Sequence, residues 1–129
     1  MKRLLVGLAL MAACAAVLAG PWEDGFTASK RGDYVTAMRL WRPLADQGNA
    51  DLQNILGVMY RDGQGVTQDF VEAHKWYNLS AAHQIDAQKR DVTSKSRDEV
   101  AAKMTAAQIA EAQKLAREWK PKSGQTHQN

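Results

Sequence analysis

The sequence predicts an all-α protein built as a short stack of about three antiparallel helix pairs. Two observations predict this fold. The chain repeats itself at a shift of 36 residues, and the matched apolar positions are three or four residues apart, which is the period of a helix. Repeated helix pairs of this kind stack on their neighbours and bury a continuous core.

The repeat covers both helices of each pair. A shift of 36 residues aligns an acidic residue, an aromatic residue and two alanines: Asp33 with Asp69, Trp41 with Tyr77, Ala37 with Ala73 and Ala45 with Ala81. In the preceding helices the matching shift is 32, which aligns Gly25 with Gly57. The difference between the shifts predicts that the turn inside the second pair is four residues longer.

Particular residues predict how each pair begins, turns and packs. Asp33 and Asp69 stand where an N-cap carboxylate accepts a hydrogen bond from the first turn of a helix. Gly63 and Gly65 suit the longer turn because glycine adopts positive φ without steric cost. Gly25 and Gly57 lie inside helices, which predicts close approach of a partner helix. Large aromatic residues are predicted to fill the core, among them Trp41 and Trp76.

The last predicted helix covers the end of the stack. Thr105 and Gln108 have the spacing of a capping box. A helix over about residues 105–119 would then place Ile109, Ala112 and Trp119 on one apolar face. Such a helix shields the apolar side of the final repeat from water. Residues 121–129 begin with a proline and are polar, so this tail is predicted to be disordered.

The first 19 residues have the pattern of a secretory signal peptide. A basic head at residues 1–3 precedes an apolar run at residues 4–18, and small residues end at Ala19. The run is shorter than the roughly 20 residues that a membrane-spanning helix needs. Cleavage after Ala19 would leave a repeat domain at residues 20–120 in the periplasm. Cys14 follows a lipobox-like Met-Ala-Ala, so an outer-membrane lipoprotein is the alternative.

Composition argues against several functions. Removal of Lys2 and Arg3 with the signal would leave 15 of the 17 basic residues against 14 acidic ones, a balance of +1 that offers no case for nucleic-acid binding. The mature chain would contain no cysteine, hence no disulfide and no thiolate metal site. His74 and His83 do not share a helix face, and no catalytic motif occurs. We therefore predict no metal, no cofactor and no enzymatic activity.

Two long patterned segments, at residues 32–50 and 56–82, resemble the Sel1-like repeat, a relative of the tetratricopeptide repeat. The resemblance implies a right-handed α-solenoid in a small secreted bacterial protein. Residues 97–112 resemble the end piece of such proteins. The chain departs from the family at His83–Asp86 and in extra residues before Arg97, which predicts that the first helix of the third pair is broken near Thr93 and Ser94.

The resemblance also implies a function. Sel1-like proteins act as scaffolds or adaptors, so we expect a protein-interaction module of the bacterial envelope. Its partner would be a peptide or protein segment, and its concave groove would be lined by the first helix of each pair. The groove candidates are Asn54, Gln53, Arg61 and Lys30. The alternatives are an envelope hydrolase or β-lactam-binding protein, and an obligate structural accessory subunit.

Overall fold

The computed structural model describes residues 20–123, and these residues form six α-helices and no strand. The helices are α1 (Pro21–Lys30), α2 (Tyr34–Asp46), α3 (Ala50–Asp62), α4 (Phe70–His83), α5 (Ala87–Ala101) and α6 (Ala106–Glu118). The all-α prediction is confirmed. The predicted signal segment at residues 1–19, with Cys14, and the end of the predicted tail at residues 124–129 lie outside the described residues.

The first four helices form two consecutive antiparallel pairs, α1 with α2 and α3 with α4. The turn inside the first pair spans residues 31–33, whereas the turn inside the second spans residues 63–69. The second turn is therefore four residues longer, as the two repeat shifts predict. Of the helices described between residues 20 and 123, none combines the length and apolarity needed to cross a bilayer.

Side-chain caps begin five of the six helices. In each case an oxygen three residues upstream accepts a hydrogen bond from a first-turn N–H, at 3.0 or 3.1 Å. The capping residues are Asp33, Asn49, Asp69, Asp86 and Thr105. Gly63 ends α3 at a φ of +68°, and Gly65 packs against the backbone of Tyr34 at the start of α2. These local bonds set where each helix begins and ends.

The two helical glycines lie directly beneath aromatic rings of the partner helix. A Cβ atom on Gly57 would come within 2.6 Å of the Tyr77 ring, and one on Gly25 would overlap the indole of Trp41. Both rings are buried, and Trp41 Nε1 also donates to the carbonyl oxygen of Trp22 at 3.1 Å. Each helix pair is therefore interlocked by a ring resting on a position without a side chain.

Helix α4 lies at the centre of the molecule, where it packs against α3, α5 and α6. Trp76 and Tyr77 of this helix are fully buried. The cationic groups of Arg42 and Lys75 lie 5.1 and 4.5 Å from the ring centre of Trp76. Because α4 packs against three other helices, it has more buried residues than any other described helix.

The predicted break near Thr93 and Ser94 is wrong, since α5 runs without interruption from Ala87 to Ala101. Asp86 caps its start, and Thr93 and Val100 are buried two turns apart on one face. This face contacts the second repeat, and that packing holds a polar sequence in a continuous helix.

Helix α6 packs against α4, and the chain then crosses back to the first repeat. The Trp119 ring lies 5.3 Å from that of His83, centre to centre. The backbone N–H of Lys122 donates to the carbonyl oxygen of Asp46 at 2.7 Å, and its ammonium group lies 3.4 Å from the carboxylate. Predicted disorder from residue 121 is therefore wrong for Lys122, because its backbone is bonded to α2.

Candidate functional site

Helices α3 and α5 lie side by side and are joined by polar contacts. Lys89 Nζ lies 3.3 Å from an Asp51 carboxylate oxygen, and the Thr93 hydroxyl donates to Asn54 Oδ1 at 3.2 Å. The Gln84 amide also donates to Asp51 at 2.9 Å. Since few backbone atoms of α3 and α5 come close, a space remains between the two helices above these contacts.

This space is a groove of about 650 Å³, which we call the α3–α5 groove. One wall consists of the N-terminal half of α3, with Asp51, Asn54 and Ile55. The other wall belongs to α5, and its lining residues are Gln88, Lys89, Asp91, Val92, Thr93 and Lys95. The groove therefore combines aliphatic, amide and charged side chains within two turns of each helix.

Asn54 lines the α3–α5 groove. Its Oδ1 accepts the Thr93 hydrogen bond, which leaves the amide nitrogen as the free end of the side chain. Among the described residues, no hydrogen bond from this nitrogen is formed. A half-buried amide donor in an open groove is complementary to a carbonyl oxygen, which every residue of a peptide carries.

Gln53 is not a groove residue, so its assignment to the ligand surface is wrong. Its side chain is fully buried, where it donates to the Ala45 carbonyl at 3.1 Å and accepts from His83 Nδ1 at 2.9 Å. One step along a helix turns the side chain by about 100°. Gln53 therefore faces the interior while its neighbour Asn54 faces the groove.

Arg61 lies at the other end of α3, outside the lining of the α3–α5 groove. Its guanidinium group donates to both carboxylate oxygens of Asp62, at 2.8 and 3.0 Å. This bond raises the pKa of Arg61 and lowers the pKa of Asp62. Arg61 lines a separate depression of about 280 Å³ together with Glu99 of α5 and Lys103 of the turn that follows α5.

Lys30 lies at the end of α1 and does not line the α3–α5 groove. Its ammonium group lies 5.1 Å from the centre of the Phe26 ring on the same helix. Of the four sequence candidates, the structure therefore places only Asn54 in this groove. Arg61 and Lys30 are accessible but separate.

Sequence reasoning missed the whole α5 wall and also Asp51. The cause was the predicted break near Thr93, which left residues 84–96 without a defined conformation. The Asp86 cap and the seven-residue spacing of Thr93 and Val100 were the available signals for a continuous helix.

A cluster of three or more metal-ligating side chains is absent from residues 20–123. His74 is buried and accepts a hydrogen bond from the Asn78 amide, whose oxygen accepts in turn from Arg97 at 3.1 Å. Burial, followed by the charge of Arg97, lowers the pKa of His74. This chain of contacts ties α4 to α5 and leaves His74 without access to a substrate.

Comparison with protein families finds two consecutive matches to the Sel1 repeat, at residues 12–49 and 50–84. The first match begins within the predicted signal segment. The boundary between the matches coincides with the start of α3.

One similar protein is an exopolysaccharide production negative regulator of Rhizobium leguminosarum bv. viciae. It is 36% identical over 75 residues, which are 56% of this chain and 28% of that protein. The chain thus matches little more than a quarter of the relative. No solved structure is significantly similar to the chain.

Proposed function

This chain belongs to the Sel1 repeat family, and we propose that it is a protein-interaction module of the bacterial cell envelope that binds a peptide or protein segment in the α3–α5 groove. Sel1 repeats are typically protein–protein interaction modules and generally lack catalytic activity. The rhizobial relative is named for a regulatory role, which suits a protein that acts by binding.

The observation that carries this proposal is the free amide nitrogen of Asn54 in the lining of an open groove. Ile55 and Val92 supply aliphatic surface beside this amide, and the Val92 side chain is 61% exposed. A peptide segment offers both carbonyl oxygens for the amide and side chains for the aliphatic surface. Covering exposed aliphatic surface contributes about 25 cal/mol for each Å² that is buried.

Photo-crosslinking tests the location of the binding surface. A photoreactive phenylalanine analogue at position 92 would project into the groove, and the same residue at position 35 serves as the matched control. Val35 is 67% exposed on α2, so the two sites are equally accessible. We expect a discrete crosslinked protein from position 92 only, lost when Asn54→Ala is added. Equal crosslinking from both positions would remove the support for this groove.

The envelope location rests on the signal pattern in residues 1–19. We propose cleavage after Ala19, with lipidation of Cys14 as the alternative processing route. Cell fractionation followed by mass measurement of the intact protein distinguishes the two. A periplasmic form starting at Gly20 supports cleavage, whereas a membrane-bound form sensitive to Cys14→Ser supports lipidation. An unprocessed cytoplasmic chain would contradict the envelope assignment.

A further inference from the structure

The two walls of the α3–α5 groove run in the same direction in a constant register. Asp51 contacts Lys89 and Asn54 contacts Thr93, which are 38 and 39 positions apart. Arg61 and Glu99, again 38 apart, line one depression at the far end. The lining of the α3–α5 groove itself extends along α5 from Gln88 to Lys95, about 10 Å, which an extended segment covers in three or four residues.

The charges of this surface divide into paired and unpaired groups. Asp51 and Lys89 neutralise each other at the N-terminal end of the groove. Asp91 and Lys95 also line the groove, yet within residues 20–123 neither has an ion-pair partner within 4.0 Å. They are one helical turn, about 6 Å, apart along the axis of α5. The groove thus presents a free negative charge followed by a free positive charge.

The aliphatic part of the groove lies between the unpaired charges of Asp91 and Lys95. Val92 follows Asp91 directly and precedes Lys95 by three positions, and Ile55 lies on the opposite wall. Ile55 directly follows Asn54, and Val92 directly precedes Thr93. The two aliphatic residues are therefore adjacent in sequence to the pair that forms the Asn54–Thr93 hydrogen bond. An aliphatic side chain of the occupant would fit here, while its backbone carbonyl meets the Asn54 amide.

Resting on the proposed function, we propose that the occupant is an extended segment of three or four residues with a basic, an aliphatic and an acidic side chain in spatial order. The basic group faces Asp91, the aliphatic group enters between Ile55 and Val92, and the acidic group faces Lys95. The order of the two charges sets the direction in which the segment lies. Exposed ion pairs contribute little affinity, so they act mainly on orientation and selectivity.

Selection from a random heptapeptide library tests this order. The library would be selected separately on the purified protein, expressed from the full chain, and on the charge-exchanged double variant Asp91→Lys, Lys95→Asp. We expect the first to enrich basic–aliphatic–acidic peptides and the second to enrich the reverse order. In low salt, the double variant should bind the basic–aliphatic–acidic consensus peptide about tenfold more weakly than the parent does. It should bind the peptide of reversed charge order about as well as the parent binds its own consensus.

Two control variants keep the result specific to the groove. Lys114 and Glu118 are exposed on α6 at the same four-residue spacing, so Lys114→Glu, Glu118→Lys exchanges charges elsewhere. This variant should enrich the same peptides as the parent. Val92→Ser should weaken binding of both consensus peptides, with unchanged helical circular dichroism.

The outcomes separate this inference from the proposed function. Peptides that bind in the groove with no charge order, or with the same order on the exchanged variant, overturn the inference and leave the interaction module standing. Failure to enrich any peptide overturns both. A concentration-dependent dimer that Val92→Ser dissociates would assign the groove to a second copy of the chain and overturn the proposed occupant.

Discussion

The two sides of α3 differ in composition and in the consequences of changing them. The side toward α4 and α2 is closed by buried residues: Leu52, Gln53, Leu56, Gly57 and Met59. The side toward α5 carries Asp51, Asn54 and Ile55, which are only partly buried. One face of α3 thus stabilises the fold, whereas the other face presents an accessible surface of polar, charged and aliphatic side chains. A repeat can vary the second face at little cost to the fold.

The neighbours of α3 show the same division. Helix α4 buries seven residues, whereas α5 buries two, Thr93 and Val100, and is also joined to its neighbours by hydrogen bonds and one ion pair. Arg97 to Asn78 and Thr93 to Asn54 are examples. Net stabilisation per hydrogen bond is modest, about 0.5–1.5 kcal/mol. We therefore expect the α3–α4 contact to contribute most of the free energy of unfolding and the contacts of α5 to contribute a smaller part.

The largest expected change in stability distinguishes two adjacent aliphatic residues of α3, Leu56 and Ile55. Leu56 is fully buried, so Leu56→Ala should lower the free energy of unfolding by about 2–5 kcal/mol, because it removes buried contacts and leaves a cavity. Ile55→Ala, on the groove side, should cost clearly less. Urea denaturation followed by circular dichroism measures both. Equal losses would contradict the division between the two faces of α3.

Gly57→Ala should be the next most damaging change. The added methyl group would meet the Tyr77 ring at 2.6 Å, and overpacking of this kind costs about 1–3 kcal/mol. In an open helix the same substitution would be stabilising by about 1 kcal/mol. Thermal unfolding gives the sign. Combining it with Tyr77→Leu should recover part of the loss, and strict additivity of the two changes would exclude a direct clash.

Mild acid should weaken the polar junction of α4 and α5. The pKa of His74 lies below its ordinary value of 6.5 in the folded protein, so the unfolded state binds the proton more readily. The contribution of His74 is therefore present above pH 6.5 and is lost as pH falls through its lowered pKa. The slope should not exceed about 1.4 kcal/mol per pH unit.

The acid effect has a matched pair of variants. His74→Gln keeps an acceptor for Asn78 without titrating, so its unfolding free energy should change less between pH 7.5 and 5.5. Gln113→Ala, a non-titrating change at an exposed position of α6, serves as the control and should retain the acid dependence of the parent. An unchanged acid dependence in His74→Gln would show that other groups cause it.

The smallest expected effect concerns the hydroxyl of Tyr77. This oxygen is buried without a hydrogen-bond partner among the described residues, and burial raises the pKa of Tyr77 to about 12. Tyr77→Phe removes an unsatisfied polar atom, so stability should stay within about 1 kcal/mol or rise. Alkaline titration of tyrosine absorbance should lose its highest-pH component. A large loss of stability would mean that a bound water holds the hydroxyl.

Local features of the fold were predictable because their interactions span three or four residues. Asp33 bonds the N–H of Thr36, and Gly63 closes α3 in a left-handed conformation, so neither depends on distant parts of the chain. The two repeat shifts likewise predicted that the second turn is four residues longer than the first. By contrast, departures from the family pattern predicted a break near Thr93, and the packing of α5 against α4 with its polar contacts to α3 keeps the helix continuous.

The candidate site was less predictable because it depends on direction around a helix. Asn54 and Gln53 are adjacent and chemically similar, yet one lies in the groove and the other in the core. Both were selected as polar residues of the first helix of the second pair, which the family resemblance assigns to the groove, and only Asn54 also matches a family position. Only the position of α2, α4 and α5 around α3 separates them, since each residue turns the side chain by about 100°.

The sequence by itself determined the order of the helices, the caps at Asp33, Asp69 and Thr105, the longer second turn and the glycine positions where helices meet closely. Each follows from a local bond or from a repeated pattern. The tertiary structure alone decided that Asp51 meets Lys89, that Asn54 meets Thr93 and that a groove stays open above them. Those contacts join residues 38 and 39 positions apart, and they depend on how one repeat is oriented on the next, which no local pattern encodes.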